Sequence, residues 1–560
     1  MAGRSTRSSL ERVARETLDR LPWLKIALKY CIVHTVNAPS WQSVSYRRWR
    51  AKEYPGRPPI EDGPRVLARD GGAWVREQTY RNLTTSLEAE ADYVALRSSP
   101  GDVPWPSAVA HLVDAAKERK ADLVYADVES ADGHEPLLVP AWDPELLEGR
   151  SYITGLVLVS SRLLSVVEAG SRVTSHHDLM LLLTERAEQV AHVATVLTST
   201  DLACQPDVEA VLRHAERAGL NGAQVKVTAA ASNLQLVMRA NPLISIVIPS
   251  KNARDVISQC IESIYVETTY ENFEIVLVDT GSDDPLVRDY YDRVAADHAN
   301  FRVVDYPEVP FSYAKSCNMG AEAARGELLV MLNNDTEVVT PDWLERLGAE
   351  AARPEIGAVG CLLLYPGVKT VQHAGVGVGI FGIAGNLLAG VSATSRLTPT
   401  QELLLHSRRN ASAVTAACLA IRAETFAAVG GFDPRLRITY NDVDLCLKFV
   451  ELGLRNIYLP DVVIVHHESV SISKLVAGRR DWDEVAVASR QFVLRWRERA
   501  GSDPYMNPHL SRSDTLCRFV PPHSQRRHDQ QKDGSIVSGS WPSWPASWRQ
   551  VGAESHVTID

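Results

Sequence analysis

Five apolar residues, Leu328 to Leu332, run without interruption and stop at Asn333-Asn334-Asp335. A short apolar run closed by polar residues reads as a buried strand reaching the edge of a sheet. In an open α/β sheet the ligand crevice lies outside the carboxyl ends of the strands. A carboxylate there can hold a hard divalent cation, and the cation can hold a diphosphate. The same residues also suit a plain turn that caps a helix, and on this stretch alone the two readings stand about equal. Two other apolar runs end alike. LISIVIP closes at Pro249 and is followed by Ser250-Lys251-Asn252; FEIVLV is stopped by Asp279-Thr280-Gly281-Ser282-Asp283-Asp284.

The spacing between these runs supplies the elements that would position them. Strands at 243–249, 273–278, 301–305 and 328–332 alternate with helices at 253–265, 286–296 and 312–324. That alternation predicts an α/β fold with a doubly wound, mostly parallel sheet. Right-handed crossovers then bring Pro249, Asp279 and Asp335 to one edge. Beyond them we read a helix at 341–353, strands at 357–364 and 415–422, a helix at 442–452 opened by Asp442, and strands at 456–459 and 462–466. A long helix follows at 482–499.

At 560 residues the chain is too long for one ordinary core, so two or three domains are expected. The net charge of −10 speaks against general nucleic-acid binding. Residues 1–60 run the other way, with twelve Lys or Arg against four Asp or Glu. Within them, 9–36 has the period of a basic amphipathic helix, suited to docking on protein or to an anionic membrane surface. Eight cysteines form no CxxC pair, which argues against a zinc or disulfide framework and fits a cytoplasmic protein. No apolar core follows Arg4, Arg7 and Arg12, so no signal peptide is expected. Residues 374–391 are apolar but hold six glycines, and read as a glycine-rich loop region. Residues 55–64 read as a linker, and the polar tail as disordered.

Several segments taken in order carry a resemblance: LISIVIPSKN, IVLVDTGSDD, CNMGAEAARGE, LNNDTEV, VQHAGVGVG, GGFD with YNDVDLCLK, VHHESVS and DPYMNPHLS. Together they resemble inverting family-2 glycosyltransferases of the GT-A fold over residues 239–511, rhamnosyltransferase-like enzymes of bacterial surface polysaccharides among them. The resemblance implies a nucleotide-diphosphate sugar donor, a glycan or lipid-linked glycan acceptor, and a divalent metal, Mg²⁺ or Mn²⁺. It makes Asp335 and His466 the metal ligands, with Asn333 standing where the family has a first Asp. It puts Pro249, Ser250, Asn252, Asp279, Ser282, Asn318, Asn333 and Asn334 around the nucleotide sugar. Asp442, in the Asn441-Asp442 pair, becomes the general base; Asp444 reads as a helix-start acid. Lys251 replaces an aromatic, the Arg that usually follows the His-Glu-Ser is missing, and Lys474 is its candidate substitute. His373 reads equally as acceptor-facing or as packing, and His467 as a strand-end histidine.

Residues 61–238 resemble the first transferase module of tandem family-2 enzymes, through NLTTSLEAEADYVALRSSPGD and VPAWDPELLEGRSYITGLVLVSSRLL. Arg97, Ser98 and Ser99 stand where acids are expected, so this module is read as a smaller, degenerate GT-A-like copy. The expected division is therefore a basic helical segment with linker at 1–60, the degenerate module at 61–238, the catalytic module at 239–511 and a disordered tail at 512–560. The implied setting is cytoplasmic, with peripheral contact at the inner face of the membrane through the N-terminus. Two other readings stay open: a nucleotide-sugar-binding scaffold without catalysis, and a membrane-surface assembly factor.

Overall fold

The computed structural model describes residues 46–50, 66–70, 73–79, 92–166, 173–202, 206–228, 232–307, 309–367, 369–467 and 479–521. The basic helix read at 9–36, the linker at 55–64, Lys474 and the tail beyond Pro521 lie outside the described residues.

The first module is one sheet of β1 (Val66–Asp70), β2 (Ala73–Thr79), β3 (Tyr93–Arg97), β4 (Val103–Pro104), β5 (Leu123–Ser130), β6 (Pro136–Leu137), β7 (Leu156–Ser160) and β8 (Val190–Thr200). Their order is β1-β2-β3-β7-β5-β8-β4, with β6 paired to β5. A ribbon of β9 (Gln224–Val227) and β10 (Ser232–Gln235) leads out of it.

The second module opens on β11 (Ile244–Ser250), β12 (Phe273–Asp279), β13 (Phe301–Asp305) and β14 (Leu328–Leu332). These four lie parallel in the order β13-β12-β11-β14. Every residue of β11, β12 and β14 is buried, as strands covered on both faces must be. Helix Arg254–Glu267 covers one face with Ile257, Cys260, Ile261 and Ile264, a three-to-four residue spacing. Helix Tyr313–Ala323 covers the other, close enough that a Cβ on Gly320 would collide with Val247 and Val278.

The sheet continues through β15 (Thr336–Val338), β16 (Ile356–Leu364) and β17 (Val371–His373). A ribbon of β18 (Val376–Val378) and β19 (Ala384–Asn386) then orders much of the glycine-rich stretch that read as loop. β20 (Arg409–Ala411), β21 (Cys418–Arg422) and β22 (Arg455–His466) complete it, in the order β14-β21-β16-β22-β15. This half is mixed, because β21 is antiparallel to both β14 and β16. The two strands expected at 456–459 and 462–466 are the single strand β22. Its register shifts between Leu459 and Val463, which throws Asp461 outward to pair with Arg346 (2.8 Å) and Gln235 (2.6 Å).

The order β3-β7-β5-β8-β4 of the first module reproduces β14-β21-β16-β22-β15 of the second. Each pairing has the same sense: antiparallel, antiparallel, parallel, antiparallel. β6 hangs on β5 as β17 hangs on β16, and β2 lies parallel to β3 as β11 does to β14. Past β2 the likeness stops. β1 folds back antiparallel, so among the described residues the first module has no counterpart of β12, the strand that ends in Asp279.

A buried polar seam joins the modules. Helix Pro144–Gly149 lies against β20: Asp143 accepts from Asn410 N (2.9 Å) and Asn410 Nδ2 (2.8 Å). Glu145 pairs with Arg455 (2.8 Å) and Arg353 (3.2 Å), while Arg408 donates to Glu148 (2.5 Å) and Glu350 (2.5 Å). Reciprocally, helix Pro399–His406, capped by Thr398, sits at β6, where Thr400 Oγ1 accepts from Leu138 N (2.9 Å). Asn507 reaches back to Asp127 in the first module (2.9 Å). Two expected boundaries move accordingly. Residues 512–521 belong to the fold, since Leu516 and Cys517 are buried and the Phe519 ring stacks edge-on to Tyr46 at 5.2 Å. Residues 46–50 likewise leave the N-terminal segment: Tyr46 (2.7 Å) and Arg50 (2.7 Å) both donate to buried Glu129.

Candidate active site

Strand pairing sets the first half of the site. Ser250 stands opposite Asp279, and β14 delivers Asn333-Asn334-Asp335 on the other side of β11. Ser250 ties the two sides together: its carbonyl accepts from Thr280 N (2.9 Å) and its hydroxyl from Asn334 Nδ2 (3.2 Å). Pro249 lies within the buried strand opposite Val278, so Ser250, not Pro249, is the first residue at the crevice.

Asp279 is buried, and its Oδ1 accepts from Gly281 N (3.1 Å) and Ser282 N (2.8 Å) in a tight turn. Gly281 takes φ +96°, a left-handed conformation that suits glycine. The other oxygen, Oδ2, lies 2.9 Å from the Arg288 guanidinium, which also reaches Asp305. Asn252, at φ +52°, donates its N–H to Ser282 Oγ (2.8 Å) and its amide to Asp283 (2.9 Å). Asn252 and Ser282 therefore lock the loops after β11 and β12 to each other.

Asp335 and His466 meet across the β15–β22 pairing, which sets Thr336 opposite His466. Asp335 Oδ1 lies 3.0 Å from His466 Nε2, and Asn333 Nδ2 lies 3.1 Å from the same nitrogen. One carboxylate and one imidazole suit Mn²⁺, and Mg²⁺ less well. Among the described residues no third His, Cys, Asp or Glu joins them, so any cation here would take its remaining ligands from water and from its anionic cargo. His467 turns away to Glu337 (3.1 Å).

Asp442 opens helix Asn441–Glu451 behind Tyr440, which holds φ +62°. Its oxygens accept from Ala416 N (3.1 Å) and Val443 N (2.9 Å), and burial raises its carboxyl above the usual Asp value despite those donors. Two residues ahead of β21 join this acid to the metal side. Ala416 donates to Asp442 and accepts from Tyr313 OH (2.9 Å); Ala417 accepts from Asn333 N (3.0 Å). Burial holds the Tyr313 phenol well above its usual pKa, with the Cys317 thiol and the Asp442 and Asp335 carboxylates adding to the effect.

Three candidates have other work. Asn318 donates to Phe432 O (2.9 Å) and accepts from Phe432 N (2.9 Å), so its amide pins the Gly430-Gly431-Phe432-Asp433 loop. His373 is fully buried against Asn386 (3.0 Å), and burial drives it down to about 4. Asp444 is buried and accepts from Trp496 Nε1 (2.9 Å), anchoring helix Arg479–Trp496. Sequence reasoning passed over Arg288, Tyr313, Ala416 and Gln372; the last lies 2.6 Å from His466 Nδ1. Arg288, Tyr313 and Ala416 sit in no recognisable pattern, whereas Gln372 stands beside His373 in VQHAGVGVG.

The first module repeats the site in altered form. Asp102 immediately precedes β4 as Asp335 precedes β15, yet Ser199 and Thr200 occupy the place of His466. Asp102 is saturated by Thr200 Oγ1 (2.6 Å), Ser98 Oγ (2.6 Å) and Ser99 N (2.8 Å). The helix corresponding to Asn441–Glu451 is His176–Thr184, which starts His176-His177-Asp178.

The chain resembles known proteins in sequence. The model of glycosyl transferase family 2 matches residues 245–410. The chain is 32% identical to the O-antigen biosynthesis protein RfbC of Myxococcus xanthus, over 82% of this chain and 38% of that protein. It is 32% identical to protein y4gI of Sinorhizobium fredii, over 76% of this chain and 49% of that protein. It thus spans less than half the length of either relative. A crystal structure of GalNAc-T7 with UDP, GalNAc and Mn²⁺ aligns with TM-score 0.37 and 17% identity, over 52% of this chain and 55% of that one. The family match covers the parallel β13-β12-β11-β14 half and runs on to β20; the second module has the GT-A fold and contains a glycosyltransferase family 2 domain.

Proposed function

We propose that this chain is a metal-dependent, inverting glycosyltransferase that moves a sugar from a nucleotide-diphosphate donor to a glycan or lipid-linked glycan acceptor in surface-polysaccharide synthesis. The observation that carries this reading is the junction at Ala416–Ala417. It ties Asp442, a carboxylate with a raised proton affinity, to the strand end that bears Asp335. Asp335 and His466 would hold the cation, which would neutralise charge on the departing diphosphate. Asp442 takes the proton of the acceptor hydroxyl as its oxygen bonds to the anomeric carbon, opposite the breaking bond to phosphate. The Asp279 turn, Ser250 and Asn334 line the nucleotide side. The name of the Myxococcus relative supports the polysaccharide setting.

The first module is, on this reading, a degenerate copy kept for support. Among the described residues it has no β12 equivalent, and Ser199 and Thr200 stand in the histidine's place; both support that role. Among the described residues no helix is long and apolar enough to cross a membrane. Contact with an anionic membrane surface is assigned to the basic residues 1–36.

Nucleoside-diphosphate release from a panel of UDP-, dTDP- and GDP-sugars tests the proposal. The expected result is release from one donor class, supported by Mn²⁺, abolished by EDTA and lost in Asp335→Asn. A chain that binds a nucleotide sugar, releases nothing and ignores EDTA is a scaffold instead. Asn333 in place of a second acid is the feature that favours that second reading.

A further inference from the structure

Gln372 is almost fully buried on β17 and touches His466 twice. Its Nε2 lies 3.4 Å from the His466 carbonyl oxygen, and its Oε1 lies 2.6 Å from His466 Nδ1. A backbone carbonyl can only accept, so the NH₂ of the amide must face it. That leaves the amide oxygen facing the ring, and an amide oxygen also only accepts. Nδ1 must therefore carry a hydrogen. The opposite nitrogen, Nε2, lies 3.1 Å from the Asn333 amide nitrogen, a donor that matches a lone pair, and 3.0 Å from Asp335 Oδ1, which only accepts; a hydrogen on Nε2 would go to Asp335, and a cation held by Asp335 would displace that hydrogen.

We propose that Gln372 is a positioning residue that fixes His466 with its hydrogen on Nδ1 and so presents the Nε2 lone pair to a cation held by Asp335. The inference rests on the metal reading above. A ligand histidine commonly owes its tautomer and ring angle to what its other nitrogen meets. The first module supplies a comparison inside the same chain. There Ser199 and Thr200 stand in the place of the histidine, and the strand corresponding to β17 is Pro136–Leu137, which brings no amide. The acid persists as Asp102, while both the imidazole and its buried partner are gone.

Mn²⁺ titration followed by electron paramagnetic resonance, on the full chain with UDP present, tests this with Gln372→Met, Gln372→Glu, His466→Ala and the double variant Gln372→Met/His466→Ala. Removing the acceptor in Gln372→Met weakens Mn²⁺ binding about 10–100-fold, while Gln372→Glu, which keeps an acceptor oxygen, stays within about threefold of wild type. Gln372 acts through His466, so the double variant binds no more weakly than His466→Ala alone. Gln372→Asn, whose shorter side chain withdraws the oxygen, gives the same loss and carries the test if Gln372→Met fails to fold. Unchanged Mn²⁺ affinity in Gln372→Met, or additive losses in the double variant, overturns the inference alone. Wild type that binds no Mn²⁺, or His466→Ala that binds it like wild type, overturns the metal reading and the inference with it.

Discussion

Asp442→Asn reduces kcat by about 10²–10⁴-fold, the range expected when a positioned proton acceptor is removed. The substitution leaves donor affinity near wild type, because the nucleotide side of the crevice is built from the ends of β11, β12 and β14, away from helix Asn441–Glu451. Stability changes by no more than about 1 kcal/mol, since losing one acceptor for Ala416 or Val443 is offset by no longer holding a charge where burial disfavours it. The pH dependence has a defined sign. Burial raises the Asp442 pKa above 3.8, so the group becomes protonated, and useless as a base, at a higher pH than an ordinary Asp. The acid limb of kcat/KM in wild type therefore lies above pH 3.8, and activity falls as pH drops through it. Steady-state kinetics, nucleotide titration and thermal denaturation of the one variant check all three outcomes. A rate within tenfold of wild type would assign the base elsewhere.

The second large effect is on stability. Arg408→Met lowers it by about 3–5 kcal/mol, because one buried cation bridges two buried carboxylates and its loss leaves Glu350 to Arg353 (2.9 Å) and Glu148 to His214 (3.5 Å) alone. Arg408 is 1% exposed and donates to Glu350 (2.5 and 2.9 Å) and to Glu148 (2.5 Å), with its own N–H on Asn233 (2.7 Å). Burial alone would push Glu148 up, but Arg408, with His214 and Arg353, brings it down to about 2. A depressed carboxylate contributes stability above its unfolded value of 4.5, and that contribution is lost as pH falls toward about 2. The deficit of Arg408→Met is therefore greatest at neutral pH and shrinks in acid, where the two glutamates take up protons. Adding Glu148→Gln and Glu350→Gln to the variant restores part of the loss. Urea unfolding at neutral and acid pH reads both effects.

The parallel half of the second module was legible in the sequence because each strand is an unbroken apolar run closed by a polar cluster. Asp279 and Asp335 were legible for the same reason. Asp442 and His466 needed the family resemblance, since an acid at a helix start and a histidine at a strand end are ordinary in themselves. The internal repeat was only half visible. Degenerate residues such as Ser199, Thr200 and His176 hide it, and strand order, which no local pattern encodes, reveals it. The seam was not legible at all: Glu145, Glu148, Glu350, Arg353 and Arg408 look like surface charges until two separate modules bury them together. The bond of the Asn318 amide to a loop backbone far away in sequence was not legible either.

The central claim is that Asp279, Asp335 and Asp442 surround one crevice that holds a cation and an activated sugar. Anomalous diffraction from a crystal of this chain soaked with MnCl₂ and UDP tests it most directly. The account predicts a Mn²⁺ peak between Asp335 and His466 Nε2, with the diphosphate on it, the nucleoside directed to the Asp279 turn, and Asp442 on the opposite wall. A peak away from Asp335, or UDP seated outside the ends of β11 and β12, would contradict it.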